Sequence, residues 1–211
     1  MCTVHLRYYF AFVLLLIGGI HPAFSLPKGK AAKKEVTKWA IQKSSTLRIE
    51  GSSNVNTFGC DVQDYYQTDT ICVQENVTNK NVSFKGAIEI DIMSFDCHNK
   101  MLTSDLRKTL KVNEHPQLII RFLSLDRLPV ISNNKDFLKG LVEIDLGGVC
   151  RRFEICYTFT KAGSAQIELK GNRLFSFADF NLKAPRKLAG LVKVKDKFNV
   201  DFTLILNPVA S

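Results

Sequence analysis

From Thr46 to Leu206 the chain is built of short runs in which apolar and polar residues alternate, and this period of two constrains the fold more than any other feature. Successive strand residues point to opposite faces, so in Gly86–Met93 the residues Ile88, Ile90 and Ile92 share one face and Ala87, Glu89 and Asp91 the other. In Lys197–Leu206, Phe198, Val200, Phe202, Leu204 and Leu206 oppose Asn199, Asp201, Thr203 and Ile205. Further strands are expected at Thr46–Ile49, resuming at Val55–Phe58 after a turn or bulge at Gly51-Ser52-Ser53-Asn54, and at Thr70–Glu75, which leads to an Asn-rich turn at Asn76–Asn81. Others are expected at Leu118–Leu125, Phe137–Leu146, Arg152–Thr160, Ser164–Lys170 and Leu174–Leu182.

The period changes once. In Thr103–Val112, Leu106 and Leu110 lie four apart, Thr103 or Ser104 stands where a cap is needed, Asp105 is in the first turn and Lys108 and Lys111 are in the last. This predicts one short amphipathic helix, ended by the connection through His115-Pro116. The result is an all-β chain, and such strands either close as a barrel or pack as a sandwich; periodicity does not choose.

Residues 1–25 read as a secretory leader: Arg7 supplies the positive charge, Phe10–Ile20 is almost wholly apolar, and Ala23-Phe24-Ser25 offers small residues for cleavage before Leu26. Its apolar run falls short of the roughly 20 residues of a membrane span, so a soluble periplasmic or secreted product is expected. Removing it lowers the net charge from +9 to +8. The segment 26–38 holds Lys28, Lys30, Lys33, Lys34 and Lys38 and reads as a solvated basic tail, with weak attraction to an anionic membrane surface as the sharper alternative. Residues 39–209 are expected to form one domain.

Five cysteines follow the leader: Cys60, Cys72, Cys97, Cys150 and Cys156. An oxidising compartment allows one or two disulfides and leaves one thiol over, or paired between molecules. Cys150 and Cys156 are too far apart to bond along an unbroken strand, because six residues cover roughly 20 Å and a disulfide needs Cα atoms within about 7 Å.

Particular residues then carry a family resemblance. Trp39-Ala40-Ile41, Ser45-Thr46-Leu47 and Gly51-Ser52-Ser53-Asn54-Val55-Asn56-Thr57-Phe58 are followed by Gly86-Ala87-Ile88-Glu89-Ile90 and Ser94-Phe95-Asp96-Cys97. Met101, Asp105-Leu106, Thr109-Leu110-Lys111, His115-Pro116, Gly140-Leu141-Val142-Glu143-Ile144 and Gly148-Val149 come after in order. This ordered set resembles the YceI-like proteins over nearly all of the chain after the leader. The resemblance implies a single antiparallel lipocalin-like barrel of about eight strands whose apolar interior holds a polyisoprenoid or isoprenoid quinone. It also implies a Cys60–Cys97 disulfide, since one branch of such proteins carries a matched pair there. Cys150, Cys156 and the short polar connection from Cys60 to Cys72 depart from the commonest pattern.

The candidate ligand-lining set is Ile88, Ile90, Ile92, Phe95, Leu118, Ile120, Phe122, Val142, Ile144, Ile155, Tyr157, Phe159, Phe198, Val200, Phe202 and Leu204. The plainer reading of each is core filling, because small barrels can be packed solid. His98 beside Cys97, with His115, matches no zinc spacing, and there is no nucleophile elbow, phosphate-cradling Gly motif or HExxH. Glu89 and Asp91 fall on the polar face of their strand, so neither a metal nor catalysis is expected. The basic clusters Arg151-Arg152, Arg186-Lys187 and Lys193, Lys195 and Lys197 lack an interleaved aromatic platform, and Lys193, Lys195 and Lys197 read as one solvated strand face. Asn76-Val77-Thr78 and Asn81-Val82-Ser83 fit the glycosylation pattern. The expected partner is a hydrophobic small molecule or lipid, not nucleic acid, bound by a monomer or dimer with no cofactor beyond that lipid. A filled interaction barrel and a barrel enzyme acting on a lipid-like substrate are the competing classes, separated by whether the interior holds a cavity and ionisable groups.

Overall fold

The computed structural model describes residues 36–62, 69–76, 81–187 and 191–209. The leader expected at 1–25 and nearly all of the tail expected at 26–38 lie outside the described residues, as does the middle of the Asn-rich turn. The elements are β1 (Val36–Ile41), β2 (Thr46–Ser52), β3 (Thr57–Val62), β4 (Thr70–Glu75), β5 (Val82–Asp91), β6 (Phe95–Asp96) and α1 (Lys100–Thr109). After the helix come β7 (Gln117–Leu125), β8 (Asp136–Leu146), β9 (Val149–Ala162), β10 (Gln166–Ser176), β11 (Arg186–Lys187), β12 (Val192–Lys193) and β13 (Lys197–Val209). The first strand takes in Val36, Thr37 and Lys38, which the charge pattern had assigned to the tail.

The strands close. Their order is β1-β4-β5-β7-β8-β9-β10-β13, all neighbours antiparallel, and β13 returns to β1 through Ile41 opposite Leu206. This is an eight-stranded barrel, and closure is what removes the free edges that a sheet of this size would expose. β13 pairs with β1 through Leu206–Val209 and with β2 through Asn199–Thr203, so β1 and β2 lie end to end along it. The turn between them is held by Ser45, whose Oγ accepts from the Ile205 N–H. Along β8 and β9 the inward residues are buried at every second position, as in the runs Leu138, Gly140, Val142, Ile144 and Phe153, Ile155, Tyr157, Phe159.

The wall is not continuous at every level. β4 pairs with β5 only as far as Cys72 opposite Lys85, while β2 carries β3 and β3 carries β6. From Gly86 to Asp91, therefore, β5 pairs with β7 on one side and with no strand on the other among the described residues. Helix α1 crosses this end of the barrel. Leu102 and Leu106 border a small void with Phe58 and Phe198, and the Lys111 Nζ just past the helix donates to the Gly147 carbonyl in the β8–β9 turn. In the half of the barrel around Trp39 and Ile71, an aromatic cluster fills the interior. Trp39 lies 6.1 Å from Phe159, and Phe84 lies 4.8 Å from Phe122 and 6.0 Å from Tyr157, ring centre to ring centre.

Several local expectations are corrected, each for a physical reason. The run Gly86–Met93 is not one strand: the Asp91 carboxylate accepts from the Met93 N–H and starts a 3-10 turn at Ile92–Ser94. The helix begins earlier, because Asn99 is the cap and accepts from Met101 and Leu102 N–H, a contact worth about 1 kcal/mol. Thr103 is instead inside the helix, where its hydroxyl accepts from Cys97 N–H and donates to Asp96. Gly51 and Ser52 stay in β2, and the turn falls on residues 53–56, where the Ser53 Oγ accepts from both Val55 and Asn56 N–H and leaves Val55 exposed. Ser164–Lys170 and Leu174–Leu182 are not two strands but one, β10, ended by a capping box in which Ser176 accepts from Ala178 N–H and Asp179 accepts from Ser176 N–H. Lys193, Lys195 and Lys197 are all exposed but not on one strand: Lys193 closes the short β11–β12 hairpin and Lys197 opens β13.

Candidate ligand cavity

Between the aromatic cluster and α1 the barrel leaves a cavity of about 70 Å³. Eleven of the sixteen residues expected to line a ligand site border it: Ile88 and Ile90 from β5, Ile120 and Phe122 from β7, Val142 and Ile144 from β8, Ile155 and Tyr157 from β9, and Val200, Phe202 and Leu204 from β13. Period-two burial brings them together, since each is on the inward parity of its strand.

The other five do not border it. Ile92 leaves the strand parity in the 3-10 turn, and Phe95 belongs to β6, outside the ring of eight strands; both are wholly buried. Leu118 is buried core beside Ile90 in the β5–β7 register. Phe159 lies behind Tyr157 in the aromatic cluster, 6.4 Å between ring centres. Phe198 turns to Phe177, 4.8 Å away, and to the void beneath α1.

Six lining residues were not anticipated: Ser45, Thr46, Leu47, Val62, Arg173 and Phe175. Arg173 fell in the gap between the strands expected at Ser164–Lys170 and Leu174–Leu182; on one continuous β10 it and Phe175 share the parity of Leu169 and Gly171. Arg173 is the sole charged residue on this wall. Its guanidinium lies 4.9 Å from the Phe153 ring centre and 5.5 Å from that of Phe175, and one NH2 group donates to the Glu154 carbonyl just beyond the last β9–β10 pair, Cys156 with Asn172.

Two polar atoms of this wall are buried without a hydrogen-bond partner, Tyr157 Oη and Arg173 Nε. Burial pushes the Tyr157 phenol far above its usual range, so it stays protonated and available as a donor. No carboxylate lines the cavity. Such a wall offers burial of apolar surface, at about 0.8 kcal/mol per CH2 removed from water.

Val62 and Ile90 also border an outer groove of about 1,140 Å³ between β5, β6 and α1, lined by polar groups such as Asp91, Asp96, Lys100 and Arg107. Val62 and Ile90, at the unpaired edge of β5, thus stand between the two spaces. The buried Cys60–Cys97 disulfide joins β3 to the segment between β6 and α1, with Cys60 bordering the void beneath the helix. It closes a loop of 37 residues, which constrains the unfolded chain by about 4 kcal/mol in the loop-entropy picture. Cys72, Cys150 and Cys156 are free, the last two exposed on the outer face of the unbroken β9. His98 pairs with Asp61 at 2.9 Å, and Asp61 also accepts from Arg48 at 2.9 Å. Among the described residues no three His, Cys, Asp or Glu side chains are grouped to hold a metal.

A closed antiparallel barrel, crossed at one end by a helix and hollow at its centre, is the frame against which relatives can be compared. The profile of the YceI-like domain matches residues 34–206. The chain belongs to the YceI-like domain family. Its barrel is similar to that of a polyisoprenoid binding domain from Saccharophagus degradans, with a TM-score of 0.62 at 15% identity, over 83% of this chain and 100% of that one. It is also similar to BcnA from Burkholderia cenocepacia, with a TM-score of 0.55 at 16% identity, over 76% of this chain and 95% of that one. No curated protein is detectably similar in sequence. At such identities the likeness establishes the YceI-like fold, and the chemistry must come from this chain's own side chains.

Proposed function

We propose that this YceI-like domain is an exported, non-catalytic lipid-binding protein that holds a long hydrophobic molecule, an isoprenoid lipid or quinone, in the barrel interior for storage or transport. The observation that carries the reading is the cavity itself, walled by aliphatic and aromatic side chains in the middle of a closed barrel. The similar domain from Saccharophagus degradans is described as polyisoprenoid binding. Ten buried methylenes contribute about 8 kcal/mol, the scale of micromolar binding before the chain's ordering cost. Export is supported by the leader-like residues 1–25 and by a disulfide, which persists in an oxidising compartment.

The cavity of about 70 Å³ is small beside the roughly 300–1,000 Å³ of ordinary ligand sites. A long chain therefore requires its walls to move, and Val62 and Ile90, which border both cavity and groove, are where the interior is thinnest. The same small volume favours the second reading, a filled barrel that serves as an interaction domain. Native mass spectrometry of the purified protein, followed by organic extraction and lipid identification, separates the two. A stoichiometric isoprenoid or quinone is expected. A clean apo mass that persists after incubation with such lipids overturns the carrier reading in favour of the interaction domain.

A further inference from the structure

The cavity holds a cation without a counter-charge. Arg173 is on the inward parity of β10, borders the apolar cavity, makes no ion pair among the described residues and leaves Nε buried without a partner. Its one hydrogen bond is to a neutral acceptor, the Glu154 carbonyl. The rings of Phe153 and Phe175 on which it stacks are weak partners for a full charge. A guanidinium has five N–H donors in a fixed fork that matches the oxygens of a carboxylate or a phosphate. The guanidinium is half-buried, with its free donors within reach of the chamber mouth, and nothing on the chamber wall supplies a negative partner.

We infer that the cavity takes an amphiphile with an anionic head, a carboxylate or a phosphate monoester, which pairs with Arg173 while its hydrocarbon chain lies along the aliphatic walls. This rests on the lipid-binding reading and adds the chemistry of the head group. The head sits at the split between β9 and β10, where Arg173 is half-buried, and the chain runs inward toward Tyr157 and Phe202.

The test compares ligands that differ only in head charge: a long-chain fatty acid against its methyl ester, and a polyprenyl monophosphate against the polyprenol. Each displaces a fluorescent apolar probe from the full-length protein and from Arg173→Gln, which can still donate to the Glu154 carbonyl. The wild-type protein is expected to favour the charged member of at least one pair by about tenfold or more, the scale of a charge-assisted hydrogen bond. Arg173→Gln is expected to reduce that preference to about twofold or less. The pair with the larger preference tells whether the source is a fatty acid or a prenyl phosphate. Binding of the neutral members with no preference for charge overturns this inference alone, as does a preference that survives in Arg173→Gln. Failure of all four ligands to bind the wild-type protein overturns it together with the carrier reading. The wild-type comparison stands whether or not the variant folds.

Discussion

Gly171 of β10 stands directly opposite Phe202 of β13, and the tip of the Phe202 ring occupies the space a side chain at 171 would take. A Cβ placed on Gly171 would lie 2.1 Å from Phe202 Cζ. The glycine is what lets an aromatic ring lie across the barrel wall and close one side of the cavity. Gly171→Ala is expected to push Phe202 toward the cavity and to destabilise the protein by about 1–3 kcal/mol, as overpacking does. Gly171→Ala with Phe202→Leu should recover part of the loss. Urea titration of the two variants checks this; additive losses would mean that the ring and the glycine do not share the space.

The Cys60–Cys97 bond ties β3 to the approach to α1, beside the void beneath the helix. The double variant Cys60→Ser, Cys97→Ser is expected to lose about 2–4 kcal/mol of unfolding free energy. Reduction of the wild-type protein should produce the same shift in its denaturation midpoint. An unchanged midpoint after confirmed reduction would show that packing alone holds β3 in place.

Cys150 and Cys156 are both exposed on one face of β9 and both free. Partial desolvation of its sulfur and the nearby carboxylate of Glu143 push the Cys150 thiol up, so less of it is thiolate at neutral pH. In maleimide labelling of the native protein under non-reducing conditions, Cys150 is expected to react several-fold more slowly than an ordinary exposed thiol, and Glu143→Gln should speed it. Cys60 and Cys97 should label only after reduction. Equal rates for Cys150 in the two proteins would remove Glu143 from the account.

Asp136, at the start of β8, is hydrogen-bonded by Arg127 and by the Val130 N–H, and these donors hold its carboxyl below the usual range. The folded state therefore binds this proton less tightly than the unfolded chain does. The resulting stability is present above the ordinary carboxylate pKa near 4 and is lost as pH falls through the lower folded value. Asp136→Asn is expected to be less stable than wild type at neutral pH, with the difference closing below about pH 4. Thermal melts from pH 7 to pH 2 measure it; a constant difference across that range would contradict the assignment.

Alternation in the sequence was enough for inward parity and most of the cavity wall, because a strand's period is two whatever its partners are, but not for strand number: the first half of β1 reads as tail and β10 as two strands. Ile88 and Ile90, Val142 and Ile144, and Val200, Phe202 and Leu204 could be assigned to the inward faces of their strands on that ground, and all border the cavity. The resemblance added closure and the Cys60–Cys97 pair, neither of which periodicity contains. What remained illegible depends on contacts between residues distant in the chain. The expected strands stop at Lys170 and resume at Leu174; the contact of Phe202 over Gly171 belongs to one continuous β10, and that continuity is what turns Arg173 inward. Phe159 and Phe198 have the same parity as cavity residues but meet Tyr157 and Phe177 instead, a matter of depth along the barrel axis that alternation does not encode. The sequence by itself determined which side of each strand avoids water, since that follows from local transfer free energy. Only the tertiary structure decided where side chains from eight strands fail to fill the interior, because a cavity is the difference between the volume a barrel encloses and the volume its residues occupy.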